Sequence, residues 1–367
     1  MAHGQAELTH HYATAPDGGQ LSYYSVGSGP GVLVLHGAVS YALLHEELAH
    51  ALSPFFTVHV ASRRGRGLSG PYPPAVTDLP IHPDDTAGAA APAAAGAPEN
   101  GGLTTIEVGG QPRPRTYAPA FASAVLATDL SDLQALLAAT GAEFLLGISS
   151  GALVVLETLL RPSSRLARLR RAVVFEPPIL FADRPTSLDM ALLPRFEREL
   201  AAGDSVGAGV TAMHLVELGP TWIPRFVMTT LSGFLFRSQD RAAAKRRAQG
   251  DPDRGVSTMG GLIPALRYDF AVTEAMVGLS SRYAPLAREG GAVDLLLLSG
   301  AKTPTFLREG MGVLEEVLPG AKSVVVDGVG HELPCNAEMR GQPAKAVPAL
   351  RDFFGDDGAE VAVDDRA

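Results

Sequence analysis

A single cysteine, Cys335, occurs in 367 residues, which excludes an intramolecular disulfide framework and fits a reducing compartment. Basic residues are in deficit. Thirty Lys and Arg against 39 Asp and Glu leave a net charge of −9, so no cationic footprint for a nucleic acid is present. No apolar run approaches the ~20 residues of a bilayer span. Met1–Tyr12 has neither a basic start nor an apolar stretch, so no secretion signal is read there. These absences lead us to expect a soluble, mildly acidic, cytoplasmic protein with no nucleic-acid and no membrane partner. Oligomeric state stays open. What is present is ample core material: 46% of residues are hydrophobic, enough for one large domain with insertions or for two domains.

Strand and helix patterns alternate along most of the chain. Gly31–Leu35 (GVLVL) is a continuous apolar run, as expected of a strand buried on both faces. Further strands are read at Leu21–Val26, Phe56–Ala61, Glu143–Ile148, Arg171–Phe175, Val293–Ser299 and Ser323–Asp327. Helices are read at Tyr41–Leu52, Ala122–Thr140, Ser150–Leu160, Thr305–Leu318 and Ala344–Phe354. This alternation predicts an α/β fold with a mostly parallel sheet and helices on both faces. Two stretches depart from it. Residues 71–119 are rich in Pro, Ala and Gly and read as a partly disordered insertion, with a small hairpin around Gly109-Gly110. Residues 179–286 are mostly helical in pattern and read as a cap. The core is therefore expected over 1–178 and 287–355, followed by an acidic disordered tail at 356–367.

Gly147-Ile148-Ser149-Ser150-Gly151 falls where a strand should give way to a helix, the context that G-x-S-x-G requires. The sharp turn lifts the Ser149 hydroxyl above the sheet. It also sets the Ser150 backbone N–H at a helix N-terminus, aimed at any oxyanion formed there. A Gly/Ser-rich turn without chemistry is the alternative reading of the pattern alone. His36-Gly37 follows the GVLVL strand and makes the Ala38 N–H a second oxyanion donor, with His36 orienting the loop. His331, in Gly328-Val329-Gly330-His331, reads alone equally as a surface histidine or as a general base. Beside Ser149 and His36-Gly37, the base reading is taken.

Together with Ser62-Arg63-Arg64-Gly65-Arg66-Gly67-Leu68-Ser69, these residues resemble the α/β-hydrolase fold superfamily over about 10–70 and 120–355. The resemblance implies an eight-stranded, mostly parallel sheet with a helical cap inserted after the sixth strand. It also implies a triad acid after the seventh strand, yet Ser299–Thr305 holds no carboxylate. Glu176 instead ends the preceding sheet strand, beside the nucleophile strand, and the order Ser149, Glu176, His331 is an allowed one. Zearalenone-type lactonases place their acid there. The chain is similar to them in Ser149-Ser150-Gly151-Ala152, Glu176-x-Pro178 and Ala301-x-Thr303-Pro304-Thr305. The other reading of Glu176 shapes the cap entry. Asp327, Asp269, Asp183 and Glu332 are the remaining carboxylates considered.

The resulting expectation is a serine hydrolase cleaving an ester or lactone of an apolar small molecule. Its triad is Ser149, His331 and Glu176, its oxyanion donors are Ala38 and Ser150, and it needs no cofactor and no metal. Met213, Trp222 and Phe226 of the cap are expected to line the pocket. Two rival classes remain: a lyase, cyclase or acyltransferase on the same fold, and a binding protein that has lost turnover. Gly65-Arg66-Gly67-Leu68-Ser69-Gly70 matches G-x-G-x-x-G, but Pro71, Pro73 and Pro74 deny it the helix a dinucleotide needs. His45 and His50 stand five apart, so they do not share a helix face for a metal.

Overall fold

The computed structural model describes residues 7–86, 104–161, 163–188, 190–217, 222–249, 257–287 and 293–355. The Ala/Pro/Gly run from residue 87 to 103 and the acidic tail 356–367 lie outside the described residues. The main-sheet strands are β1 Thr9–Thr14, β2 Gln20–Val26, β3 Gly31–Leu35, β4 Thr57–Ala61, β5 Phe144–Ile148, β6 Arg171–Phe175, β7 Asp294–Gly300 and β8 Lys322–Val326. They form an eight-stranded sheet in the order β1-β2-β4-β3-β5-β6-β7-β8. From β4 to β8 every neighbouring pair is parallel, while β2 runs antiparallel to both β1 and β4.

Alternation along the central strands divides the apolar side chains between two layers. Leu33, Leu35, Leu145, Ala172, Val174, Leu295 and Leu297 face one side. There they meet helices α2 Pro119–Thr140, α3 Ser150–Leu159, α7 Leu266–Ala275 and α8 Thr305–Val317. Val32, Val34, Leu146, Val173, Phe175 and Leu296 face the other side, toward α1 Glu46–Leu52 and α9 Val347–Gly355. By length and composition α2 is apolar enough to cross a bilayer. In this fold it is a core helix: Val125, Leu133 and Leu136 are buried under the sheet, and Asp129 and Asp132 sit in buried ion pairs.

One main-sheet strand was not expected. Strand β1 carries no apolar alternation, and most of its positions are exposed or half-exposed. It pairs antiparallel with β2 over its whole length, and rings are laid across the pair: His10 stacks on Tyr24 and His11 on Tyr23, with the His10 Nε2 on the Ser22 hydroxyl at 2.9 Å. The hairpin in the insertion is present as Thr105–Val108 paired with Gln111–Pro114. Gly109 and Gly110 both take positive φ, 64° and 71°, as a two-residue loop of this hand requires.

The cap consists of α4 Leu193–Ala201, α5 Ser205–Leu215 and α6 Arg225–Ala248, packed in succession. Helix α7, expected within the cap, instead packs on α2 and α3 and completes the layer over the sheet. Its burial runs through Asp269, Phe270, Ala271 and Val272 and so around most of the helix, and helical periodicity alone did not separate it from the cap.

Candidate active site

Four parallel strands end at one edge of the sheet, and the chemistry-bearing residues follow them in register. Leu35 of β3 pairs with Ala61 of β4 and Gly147 of β5, and Ile148 of β5 pairs with Phe175 of β6. His36, Ser62, Ser149 and Glu176 each come directly after these pairs. Brought together at this edge are also three β-branched or polar residues in the left-handed region: Val39 (φ 48°), Ser149 (φ 53°) and Glu176 (φ 45°). Such a backbone costs about 1–3 kcal/mol per residue and clusters at functional sites.

Ser149 caps α3 at φ 53°, ψ −124°, the sharp strand-to-helix turn expected from the motif. Both flanking glycines are obligatory. A Cβ on Gly147 would lie 2.6 Å from Val155 Cγ2, and one on Gly151 would collide with the Leu35 and His36 carbonyl oxygens. Gly37 brings the β3 loop against Ser149: its Cβ would lie 2.6 Å from the Ser149 Cβ and 3.2 Å from the Ser149 Oγ. The Ser150 N–H heads the first turn of α3, where a helix supplies no acceptor of its own. Ala38 follows Gly37 in the same loop.

Phe175 is the common ground of the remaining parts. Its carbonyl accepts the Ser149 N–H at 2.8 Å, and the His331 ring stacks on its ring, with centroids 5.8 Å apart. The next residue, Glu176, is fully buried. Glu176 Oε2 lies 2.6 Å from His331 Nδ1, and Glu176 Oε1 accepts the Gly300 N–H at 2.7 Å. The end of β7 thus supplies a backbone donor to Glu176 rather than a carboxylate of its own. Gly300 is confined by this approach, since a Cβ there would lie 2.7 Å from the Val329 carbonyl oxygen.

Of the other carboxylates considered, three accept from other donors and one is exposed. Asp183 accepts from the Ser280 N–H and hydroxyl, Glu332 accepts the Gly330 N–H, and Asp327 is exposed. Asp269 is held below the usual carboxylate range: burial pushes it up, but Arg66 and Arg63 outweigh that. The Cys335 thiol is pushed up to about 12 by burial and by Glu332, so it stays protonated and inert. Among the described residues no group of three or more His, Cys, Asp or Glu is arranged to hold a metal ion.

His36 is buried, with its Nδ1 on the Gly37 carbonyl at 2.7 Å and the Arg63 N–H donating to its Nε2 at 3.0 Å. Burial, then Arg66 and Arg63, hold its pKa well below the usual histidine range, so the ring is neutral and orients the loop. Nearby, His45 links the β3 loop to the segment after His331, through Ser40 Oγ at 3.0 Å and the Pro334 carbonyl at 2.8 Å. Burial lowers its pKa to about 4. Because the unfolded chain binds this proton from about pH 6.5 downward, His45 favours the fold above pH 6.5. That contribution, about 3 kcal/mol, is lost as pH falls from 6.5 to 4. Thermal unfolding followed between pH 7 and 4.5 should show Tm falling, and His45→Asn should show a shallower fall. Parallel slopes would remove His45 from the acid response.

The cap residues expected in the pocket are placed differently. Trp222 is 82% exposed and Phe226 72% exposed. Helix α6 buries only Met228, Gly233 and Ala243, so its stripe of Phe226, Leu231, Phe234 and Leu235 faces outward. Trp222 borders a cleft of about 330 Å³ with Leu192, Thr211 and His214, none of which belongs to the site above. Met213 is half-buried in α5.

The sheet order, the turn at Ser149 and the position of His331 define the α/β-hydrolase fold. Solved structures agree. The chain is similar to an α/β-hydrolase from Sphaerobacter thermophilus at 23% identity and a TM-score of 0.60, over 94% of this chain and 100% of that one. It is similar to an esterase from Rhodococcus sp. at 18% identity and a TM-score of 0.53, covering 95% and 98%. A carboxylesterase from Bacillus subtilis gives 14% identity and a TM-score of 0.54, covering 97% and 93%. No protein-family model and no curated protein sequence matches the chain.

Proposed function

We propose that the chain is a serine hydrolase acting on a carboxylic ester or lactone through Ser149, His331 and Glu176. The observation that carries this reading is the Glu176 carboxylate, buried and shared between His331 Nδ1 and the Gly300 N–H. With Nδ1 held by Glu176, the imidazole presents Nε2 as the base. His331 takes the Ser149 proton as the hydroxyl attacks the carbonyl, then delivers it to the leaving alkoxide. In the second half it activates water against the acyl-enzyme. Glu176 orients the ring and stabilises the imidazolium. The backbone N–H groups of Ala38 and Ser150 stabilise the oxyanion. Esterases among the solved structures of similar fold support the ester class. Trp222 and Phe226 are largely exposed, so they give no ground for an apolar preference, and the proposal is confined to the ester or lactone bond.

A fluorophosphonate probe tests the nucleophile, and a panel of aryl esters and lactones of graded acyl length tests the bond. Wild type should be labelled, Ser149→Ala should not, and members of the panel should be turned over with incorporation of ¹⁸O from labelled water. Absence of labelling on folded wild type would favour a binding protein. Turnover without ¹⁸O uptake would favour a lyase, cyclase or acyltransferase.

A further inference from the structure

Behind the site lies a buried polar cluster that the proposed chemistry does not use. Arg63, Arg66, Asp129, Asp269, Tyr72 and Ser150 are all buried. Arg63 and Arg66 come from the loop after β4, Asp129 from α2, Asp269 from α7, and Ser150 from the first turn of α3. The Arg63 guanidinium donates to Asp129 Oδ2 at 2.5 Å, to Asp269 Oδ1 at 2.6 Å and to Ser150 Oγ at 3.0 Å. The Ser150 hydroxyl donates to Asp269 Oδ1 at 2.7 Å. Asp269 Oδ2 accepts from Arg66, and Tyr72 donates to Asp129 Oδ1 at 2.7 Å. Two guanidinium and two carboxylate charges offset one another, as a buried set must.

The same residue also holds the opposite wall of the site. The Arg63 backbone N–H donates to His36 Nε2, and His36 Nδ1 donates to the Gly37 carbonyl. Gly37 is the residue packed on Ser149, and Ala38 follows it. Arg63 is therefore tied to both strands of backbone from which the oxyanion donors project. One tie runs through its main chain to the β3 loop. The other runs through its side chain to the side chain of Ser150.

We propose that Arg63 and Asp269 are positioning residues that set the spacing of the two oxyanion donors, Ala38 N–H and Ser150 N–H. This rests on the serine-hydrolase reading of the site. Donors that stabilise an oxyanion must be pre-placed, because reorganisation at the moment of reaction forfeits the gain. A planar guanidinium with several fixed donors serves this better than a single ammonium point charge. The ionic pair adds a reach across the fold. Asp269 sits on α7, which packs on α2 and α3, so the geometry at the head of α3 is fixed against two further helices and not by α3 alone.

The test uses Ser150→Ala, which removes the tether but keeps the backbone N–H and all four charges. Asp269→Asn and Arg63→Lys are its companions. With p-nitrophenyl acetate as the probe, Ser150→Ala and Asp269→Asn should lower kcat about 10–100-fold with KM within about twofold, since only the transition state feels the donors. Tm of Ser150→Ala should stay close to wild type. Amide hydrogen exchange gives a second readout that does not depend on turnover. Exchange should accelerate in both segments, 36–40 and 149–152, in the Asp269→Asn protein, and Arg63→Lys should behave alike. Unchanged kcat in folded Ser150→Ala overturns the proposal, as does exchange unchanged at both segments. If wild type neither takes the fluorophosphonate nor cleaves the ester, the hydrolase reading fails by itself, and the exchange result still decides whether Arg63 couples the two segments.

Discussion

If the chain is the serine hydrolase proposed above, Glu176→Gln should lower kcat by about 10⁴-fold on any ester substrate, with KM little changed and the fold intact. The size of the effect follows from the second partner of the carboxylate. The Gly300 N–H donates to Glu176 Oε1 and can only donate. In a glutamine, the amide oxygen must take that place, which turns the NH₂ toward His331 Nδ1. Nδ1 must then accept, the ring proton moves to Nε2, and the nitrogen that should receive the Ser149 proton is already protonated. The variant therefore installs the wrong tautomer while preserving shape and burial. Glu176→Asp keeps the charge but, one methylene shorter, cannot reach both Gly300 and His331. An intermediate loss is expected. Turnover of Glu176→Gln within about tenfold of wild type would mean that another group orients His331.

The placement of Glu176 beside Ser149 was open to sequence reasoning because it depended on neighbouring strands. Glu176 follows Phe175 as Ser149 follows Ile148, and the two strands pair in register. Continuous apolar runs located β3 and β6 to the residue, since strands buried on both faces have no polar interruptions to blur their ends. Strand β1 was not legible for the opposite reason. Thr9–Thr14 lies at the sheet edge, and its ring stacking on β2 has no periodicity to find. The cap misled differently. Apolar spacing along α6 marks a face, but spacing carries no information on whether that face turns inward. The Arg63–Asp269 pair spans 206 positions of sequence. One signal did point to it: three arginines, Arg63, Arg64 and Arg66, directly follow a buried strand. Cations placed there require buried carboxylates from distant segments. Asp132 for Arg64, and Asp129 and Asp269 for the others, are the partners the fold provides.

Ser149→Ala should abolish labelling and lower kcat by about 10⁴-fold or more, leaving only the rate that the oxyanion donors and substrate binding give to water. Stability separates this loss from misfolding. Alanine keeps a Cβ at φ 53°, ψ −124°, so the strain of the turn persists and Tm should remain near that of wild type. Ser149→Gly is the informative partner. It relieves strain of about 1–3 kcal/mol, offset by about 0.5–1 kcal/mol of extra chain entropy in the unfolded state. The glycine variant should therefore be inactive yet more stable than Ser149→Ala by about 1 kcal/mol, measured by denaturant unfolding. Such an ordering would mean that the backbone at residue 149 is held against its own preference so that a side chain can be presented above the sheet edge. If Ser149→Gly were instead less stable than Ser149→Ala, the turn would carry no stored strain. If Ser149→Ala kept turnover near wild type, Ser149 would not be the nucleophile, and the grouping of Glu176 and His331 would serve some other proton transfer.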